Sequence, residues 1–355
     1  MIRLLYAIVR VAPILMAIGC GDDGGTAGPC LLVRLDNVTT AQPSKVTAFF
    51  TVDTCEGAPV TGLTSSGVEI REDGTRLSAT DSQQRLVRQP DVFRVHTILV
   101  LDLTRSMIVG NQLTALQDAA KQMVRSLVAV GPEQYLAVYT FDGALAMQKV
   151  QDFTNDGAAL ELAITRISNR QCTTSPDCVG MPDRSTCATG SGTGLCVDES
   201  TNLYGAVIDG ITALDASLTA LNLVPFKIGN FVIFTDSADQ AMRKSRSDAV
   251  AKAQATTSAV FAVSIGGDAD RDFLNVIAQE GTAHATTLGD LPAATTQIED
   301  IIKAETGRHY LLEYCSPKRA GSHTLALKVT AGENNATGEA SRNFSAANFT
   351  SGCSL

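Results

Sequence analysis

The stretch Val95-His-Thr-Ile-Leu-Val-Leu-Asp-Leu-Thr-Arg-Ser-Met107 decides how the chain is read. Ile98 to Leu101 is a short apolar run that ends abruptly in polar residues, the pattern of a strand buried on both faces in a parallel sheet. Ligand-binding groups gather at such strand ends. Asp102, Thr104 and Ser106 alternate with Leu103 and Arg105, so in an extended segment the carboxylate and both hydroxyls project to one side. Hard oxygen donors of this kind suit Mg²⁺, Mn²⁺ or Ca²⁺, whereas zinc and copper draw on imidazole or thiolate, which the cluster does not offer. The competing reading is a solvated strand-to-helix turn whose Ser and Thr cap the next helix.

Two distant segments favour the ligand reading. Phe231-Val-Ile-Phe-Thr-Asp236 is a second buried strand ending in an aspartate, and Thr201-Asn-Leu-Tyr-Gly205 opens a helical pattern with a threonine at its start. With these in place, residues 91–308 resemble a von Willebrand factor A domain, whose metal-ion-dependent adhesion site follows Asp-x-Ser-x-Ser, then Thr, then Asp. The matching positions are Asp102, Thr104, Ser106, Thr201 and Asp236, in order and at the expected strand ends or helix start. Thr104 departs from the pattern, standing where serine is usual; its hydroxyl can ligate, but it brings an extra methyl. The resemblance implies a doubly wound, mainly parallel α/β sheet of Rossmann-like type. It also implies that the hydroxyls meet the ion directly while the aspartates often act through water. Few direct ligands are then anionic, and a carboxylate of a partner protein is the natural ligand for the open position.

Strand and helix patterns alternate through this region, as an α/β fold requires. Leu113, Leu116, Ala120, Met123, Val124 and Leu127 recur at helical spacing, as do Leu160, Ile164 and Ile167, and Leu203, Val207, Ile211 and Leu214. Tyr135 to Phe141 and Ala259 to Ile265 read as further strands, and a last helix falls near Ile298 to Ala304. On the N-terminal side, within the flank of residues 31–90, the pattern between Leu31 and Leu77 alternates with period two: Val46, Ala48, Phe50 and Val52 against Thr47, Thr51 and Asp53. Turn signals at Cys55 to Pro59 and Glu72 to Gly74 separate the runs. The segments Val60 to Leu63 and Val68 to Gly74 resemble the β-rich stretch that precedes the A domain in many bacterial proteins of this type. Residues 309–355 match it, with Tyr310 to Tyr314 followed by Leu325, Leu327 and Val329 on one face. Each flank alone has too few strands and an exposed edge, so the expectation is one small β-sandwich built from both flanks, with the A domain inserted between its strands.

The rhythm breaks at residues 171–197, which are rich in Gly, Ser, Thr and Asp, cannot build an apolar core, and contain four cysteines. The spacing resembles small cysteine-rich modules of extracellular bacterial proteins. The segment reads either as a stapled decoration or as a recognition element. Gly190-Ser-Gly-Thr-Gly194 has the glycines of a phosphate loop, but no strand precedes it and no lysine follows at the required place.

Residues 1–19 have the form of a secretory signal: Arg3 and Arg10 punctuate an apolar run that ends in small residues. Ala17-Ile-Gly-Cys20 resembles a bacterial lipobox, which implies lipidation of Cys20, and residues 20–30 form an acidic, glycine-rich tether. Gly21 rather than Asp follows the cysteine, which in that resemblance implies the outer membrane. Nine cysteines are an odd number; lipidating Cys20 leaves eight, an even set suited to an oxidising compartment. The expected pairs are Cys30 with Cys55 and Cys315 with Cys353. Two more lie among Cys172, Cys178, Cys187 and Cys196, with three pairings open. Zinc binding by these four is disfavoured because the Cys-x-x-Cys knuckle is missing. The formal charge of -9 becomes -11 once the leader's two arginines leave, and the chain has no basic run, which argues against nucleic acid as a partner.

The expected function is therefore that of an exported envelope lipoprotein, anchored by its lipid alone, that holds a carboxylate-bearing protein through a bound divalent cation. The alternative is an envelope scaffold with a vestigial site. A hydrolase is less well supported. A phosphatase of the haloacid-dehalogenase type needs a second Asp where Thr104 stands, and the four histidines, His96, His284, His309 and His323, accompany no nucleophile-elbow motif.

Overall fold

The computed structural model describes residues 30–87, 90–109, 112–167, 171–180, 183–189, 194–332 and 334–355. The expected leader, Cys20 and the expected tether before Cys30 lie outside the described residues, as does most of the 190–194 segment. The N-terminal flank supplies β1 (Leu31–Ala41), β2 (Lys45–Thr54), β3 (Val68–Glu72), β4 (Thr75–Arg76) and β5 (Arg85–Val87). Next come β6 (Phe93–Asp102), α1 (Arg105–Val109), α2 (Leu113–Val128), β7 (Gln134–Phe141), β8 (Gln148–Thr154) and α3 (Gly157–Thr165). The cysteine-rich insertion contributes β9 (Gln171–Cys172), β10 (Thr186–Ala188) and β11 (Gly194–Val197). The α/β unit closes with α4 (Leu203–Ala220), β12 (Phe226–Thr235), α5 (Arg246–Ala255), β13 (Ala259–Ile265), α6 (Arg271–Ile277), β14 (Gly281–Ala285) and α7 (Leu291–Gly307). The C-terminal flank adds β15 (His309–Cys315), β16 (Ser322–Ala331) and β17 (Ala336–Ser345).

The central sheet has six strands in the order β14-β13-β12-β6-β7-β8, all parallel except the β7–β8 pair. Successive side chains of a strand point to opposite faces, and β6 divides accordingly. Leu99 and Leu101 pack with α2, α3 and α7, while Ile98 and Val100 pack with α4, α5 and α6. A strand buried on both faces explains the unbroken apolar run in its sequence. From β6 the chain crosses toward β7 on one side, and its return through α4 brings β12 to the other. The carboxyl ends of β6 and β12 therefore meet at a topological switch point, where doubly wound sheets open a crevice.

Polar side chains start the helices where the sequence offers them. Asp156 accepts hydrogen bonds from Ala158 and Ala159 at α3, Asn202 from Gly205 at α4, Ser245 from Asp248 at α5 and Asp270 from Phe273 at α6. The last helix is longer than its apolar stripe suggests, and Ile167 lies just past the end of α3, although it is buried. The short elements β8, α5, α6 and β14 carry weak periodicity and were not anticipated.

The flanks form two four-stranded sheets, β1-β2-β15-β5 and β17-β16-β3-β4, each containing strands from both ends of the chain. Phe50 faces Tyr310 across the β2–β15 pair and Ile70 faces Leu327 across β3–β16. Side chains from both sheets, including Phe50, Ile70, Tyr314, Leu325 and Val329, share one apolar core. The anticipated polar face of β2 does not reach solvent, since Thr47, Thr51 and Asp53 are buried. The reason is a second contact: Phe49 and Leu311 join Phe93, Val95 and Phe226 of the α/β unit in a separate apolar cluster, with Phe49 stacked on Phe226 at 4.0 Å.

The eight cysteines from Cys30 onward are all in disulfides. Cys30–Cys55 and Cys315–Cys353 tie the flanks, and the insertion is held by Cys172–Cys187 and Cys178–Cys196. The sulfurs of Cys172, Cys178 and Cys196 lie close together, but oxidised sulfur is not a thiolate ligand, so the cluster is a staple.

Candidate metal centre

Asp102 ends β6 and is completely buried. The chain does not stay extended beyond it, as the alternation of Asp102, Thr104 and Ser106 had suggested. It turns at once into α1, with the Thr104 amide donating to Asp102 Oδ1 at 2.8 Å and the Met107 amide to the Thr104 carbonyl at 3.1 Å. An aspartate accepting from the amide two residues on makes a compact turn. The turn still brings the polar atoms together: Thr104 Oγ1 and Ser106 Oγ are 3.1 Å apart, and Ser106 Oγ donates to Asp236 Oδ1 at 3.0 Å.

Asp236 follows β12 immediately. The pairing of Leu101 with Phe234 across the β6–β12 junction places the two strand ends, and so the two carboxylates, side by side. Four of the five expected residues, Asp102, Thr104, Ser106 and Asp236, thus form one hydrogen-bonded group. Thr201 is buried and reaches the same loop through its backbone: its carbonyl accepts from the amides of Gln240 at 2.8 Å and Ala241 at 2.9 Å.

Two further hydroxyls belong to the group. Thr235 Oγ1 donates to Asp102 Oδ2 at 2.7 Å, and Ser237 Oγ donates to Asp236 Oδ1 at 2.7 Å while lying 3.3 Å from Ser106 Oγ. Both flank Asp236 in sequence, so an Asp between hydroxyl residues at a strand end was a readable signal. Burial, and then the negative charge of Asp236, push the Asp102 carboxyl up to about 7. Among the described residues no Lys, Arg or His is paired with Asp102 or Asp236, whereas the neighbouring buried Asp142 is paired with Arg184. The donor set therefore fits a hard divalent cation: two adjacent carboxylates without a protein counter-charge, ringed by neutral hydroxyls.

The rim, by contrast, is compensated. Arg105 pairs with Glu199 at 2.6 Å, Arg243 with Asp198 at 3.3 Å, and Arg184 of the insertion with the buried Asp142 at 2.7 Å. Burial raises the Asp142 carboxyl, against the opposing pull of Arg184 and two amide donors. The insertion also packs on α1, where Ile108 joins Ala188, Leu195 and Val197 in a small apolar cluster. The four histidines have structural partners away from this group. His96 bonds Ser217 and stacks on Phe153, His284 bonds Ser264, His309 stacks on Phe49, and His323 bonds Asp73.

No protein-family model matches the chain, and no curated protein matches it. Solved structures similar to it include domains of the von Willebrand factor A type. One is a von Willebrand factor type A protein from Catenulispora acidiphila, 11% identical over 91% of this chain and 74% of that one, with a TM-score of 0.41. Another is proximal thread matrix protein 1 from the mussel byssus, with a zinc-occupied adhesion-site motif. It is 16% identical over 66% of this chain, which spans 49% of that protein, with a TM-score of 0.42. The von Willebrand factor domain of the type V pili tip protein Mfa5 from Porphyromonas gingivalis is 11% identical over 60% of this chain and 96% of that domain, with a TM-score of 0.40.

Proposed function

We propose that this chain is an exported lipoprotein of the cell envelope that binds a protein partner through a divalent cation held by Asp102, Thr104, Ser106, Thr201 and Asp236. The observation that carries the reading is the buried Asp102–Asp236 pair, which lacks a protein cation among the described residues and is linked at the sheet's switch point through Thr104, whose amide donates to Asp102, and Ser106, which donates to Asp236. Mg²⁺ is the expected ion, with Mn²⁺ and Ca²⁺ as substitutes. When bound it would supply an electrophilic position open to a partner's carboxylate, an attraction that strengthens as the contact excludes water. The chain's own residues hold the site ready. Thr235 and the Thr104 amide fix both oxygens of Asp102, and Ser237 orients Asp236.

This is a binding site rather than a catalytic one, because Thr104 occupies the position where an aspartyl phosphatase would need its acid. The two flanking sheets act as one β-sandwich platform that presents the α/β unit, and the lipidated Cys20 anchors the whole, with the outer membrane as the expected face. Nucleic acid is not a partner on this reading.

Calorimetric titration of the full chain with MgCl₂ and MnCl₂, with Asp236→Ala as control, tests the cation. Saturable binding by the wild type that the substitution abolishes is expected. No heat and no thermal shift with either ion would leave the scaffold reading, in which the site is vestigial.

A further inference from the structure

Among the expected ligands, Thr201 sits farthest from regular structure, four residues after β11 and directly before the Asn202 cap of α4. Its place is fixed by a neighbouring turn. Asp142, the first residue after β7, accepts from the Ala144 amide at 3.0 Å through Oδ1 and from the Asp198 amide at 3.3 Å through Oδ2. Its own carbonyl accepts from the Asn202 amide at 3.0 Å. Asn202 Nδ2 returns a bond to the Ala144 carbonyl at 2.8 Å. The segment 198–202 is thus tied to the 142–144 turn on both sides of Thr201.

The approach is close enough that a side chain at Gly143 would push those of Ser200 and Asp198 aside. A Cβ on Gly143 would lie 2.1 Å from Ser200 Oγ and 2.3 Å from Asp198 Oδ1. Arg243 spans the same contact, donating to the Gly143 carbonyl at 3.2 Å and pairing with Asp198.

Such a hub requires Asp142 to stay buried and ionised, since amide donors and a guanidinium favour the carboxylate form. Arg184 makes this affordable: its Nε lies 2.7 Å from Asp142 Oδ2, its Nη2 donates to the Ala146 carbonyl at 3.1 Å, and it is itself largely buried. Arg184 lies three residues before Cys187, whose disulfide to Cys172 closes the insertion on itself.

We propose that Asp142, neutralised by Arg184 reaching in from the insertion, is the positioning residue that sets Thr201 at the metal centre. The inference rests on the metal-site reading and gives the insertion a definite task. The loop leading into its stapled strand β10 carries the counter-charge that locks the Thr201 segment in place. Asp142 touches no ion; it acts through Thr201.

The test is calorimetric Mg²⁺ affinity of the full chain, measured well below the melting temperature, for wild type, Asp142→Asn, Arg184→Ala, Arg184→Lys, Thr201→Val and the Asp142→Asn/Thr201→Val double variant. Asp142→Asn and Arg184→Ala should each weaken Mg²⁺ about tenfold or more, while Arg184→Lys, which keeps the charge, should recover part of the loss. If Asp142 acts through Thr201, the double variant should be no weaker than Thr201→Val alone, since residues acting as one unit are non-additive. A purely structural role would lower the melting temperature without changing affinity at low temperature, and that result overturns the proposal. So does a double variant whose loss is the sum of the single losses. Should Asp142→Asn fail to fold, the Arg184→Ala and Arg184→Lys pair decides, equal wild-type affinity in both being the refuting outcome. A wild type that binds no Mg²⁺ refutes the metal-site reading first, whereas a binding wild type with unaffected variants refutes only this inference.

Discussion

Replacing Asp102 by Asn separates the cost of this site from its use. The substitution keeps an acceptor for the Thr104 amide and removes one of two adjacent buried charges. Folding moves the Asp102 carboxyl from 3.8 to about 7, so the folded state binds more protons than the unfolded state between those values. Stability then falls as pH rises through that window, by up to about 4 kcal/mol at ~1.4 kcal/mol per pH unit, and the penalty is fully present above pH 7. In EDTA at pH 8, Asp102→Asn should therefore be more stable than the wild type. At roughly 2–4 °C per kcal/mol for a domain of this size, a gain of 1–4 kcal/mol is about 2–16 °C in melting temperature. At pH 4 the difference should vanish, because Asp102 is then protonated in the folded wild type. Saturating Mg²⁺ should close most of this gap, and reverse the order where the gap is under about 2.7 kcal/mol. The wild type gains about 2.7 kcal/mol at one hundred times its Kd, and the variant gains little. Circular-dichroism melts at pH 4, 6 and 8, in EDTA and in Mg²⁺, read all of this directly. If Asp102→Asn is the less stable protein in EDTA at pH 8, and by the same margin at pH 4, Asp102 is not an uncompensated charge and the reasoning fails.

Three further outcomes are expected. Phe49→Ala removes the ring stacked on Phe226 between flank and α/β unit and should cost about 3–5 kcal/mol in urea unfolding, or split the transition in two if the contact couples the units. Tyr314→Phe takes the donor from the buried Glu72, whose Oε2 has no partner among the described residues; a loss of about 1–3 kcal/mol is expected, and a loss no larger than that of an exposed Tyr→Phe change would count against it. Cys20→Ser should leave an unprocessed precursor or release the protein from the membrane fraction, and unchanged processing and attachment would refute lipidation.

Much of the centre was legible before any coordinates. The run Ile98 to Leu101 announces a strand buried on both faces because both faces meet helices, and Asp102 and Asp236 follow such runs directly. Helices α2 and α4 were readable because their stripes face a core. The short helices and edge strands were not, since β8 lies at a sheet edge with mixed burial and α5 buries only Ala249 and Ala253. The turn after Asp102 was misread as extended because alternation of polar residues does not distinguish a strand from the first turn of a helix.

The amino-acid order by itself determined the elements whose burial is local and periodic, four of the five oxygen-bearing side chains that gather at the ends of β6 and β12, and the even set of cysteines from Cys30 onward. Only the tertiary structure decided which partners those groups meet. Thr235 reaches Asp102 across 133 residues, Arg184 reaches Asp142 across 42, and the insertion's cysteines take one of three open pairings. Likewise the polar face of β2 is buried because a second unit, supplying Phe93 and Phe226, happens to cover it. Periodicity records how a segment meets its nearest layer. A contact between separate loops depends on strand order and register, which are set by the sum of many weak packing choices over the whole chain and leave no repeating mark at either residue.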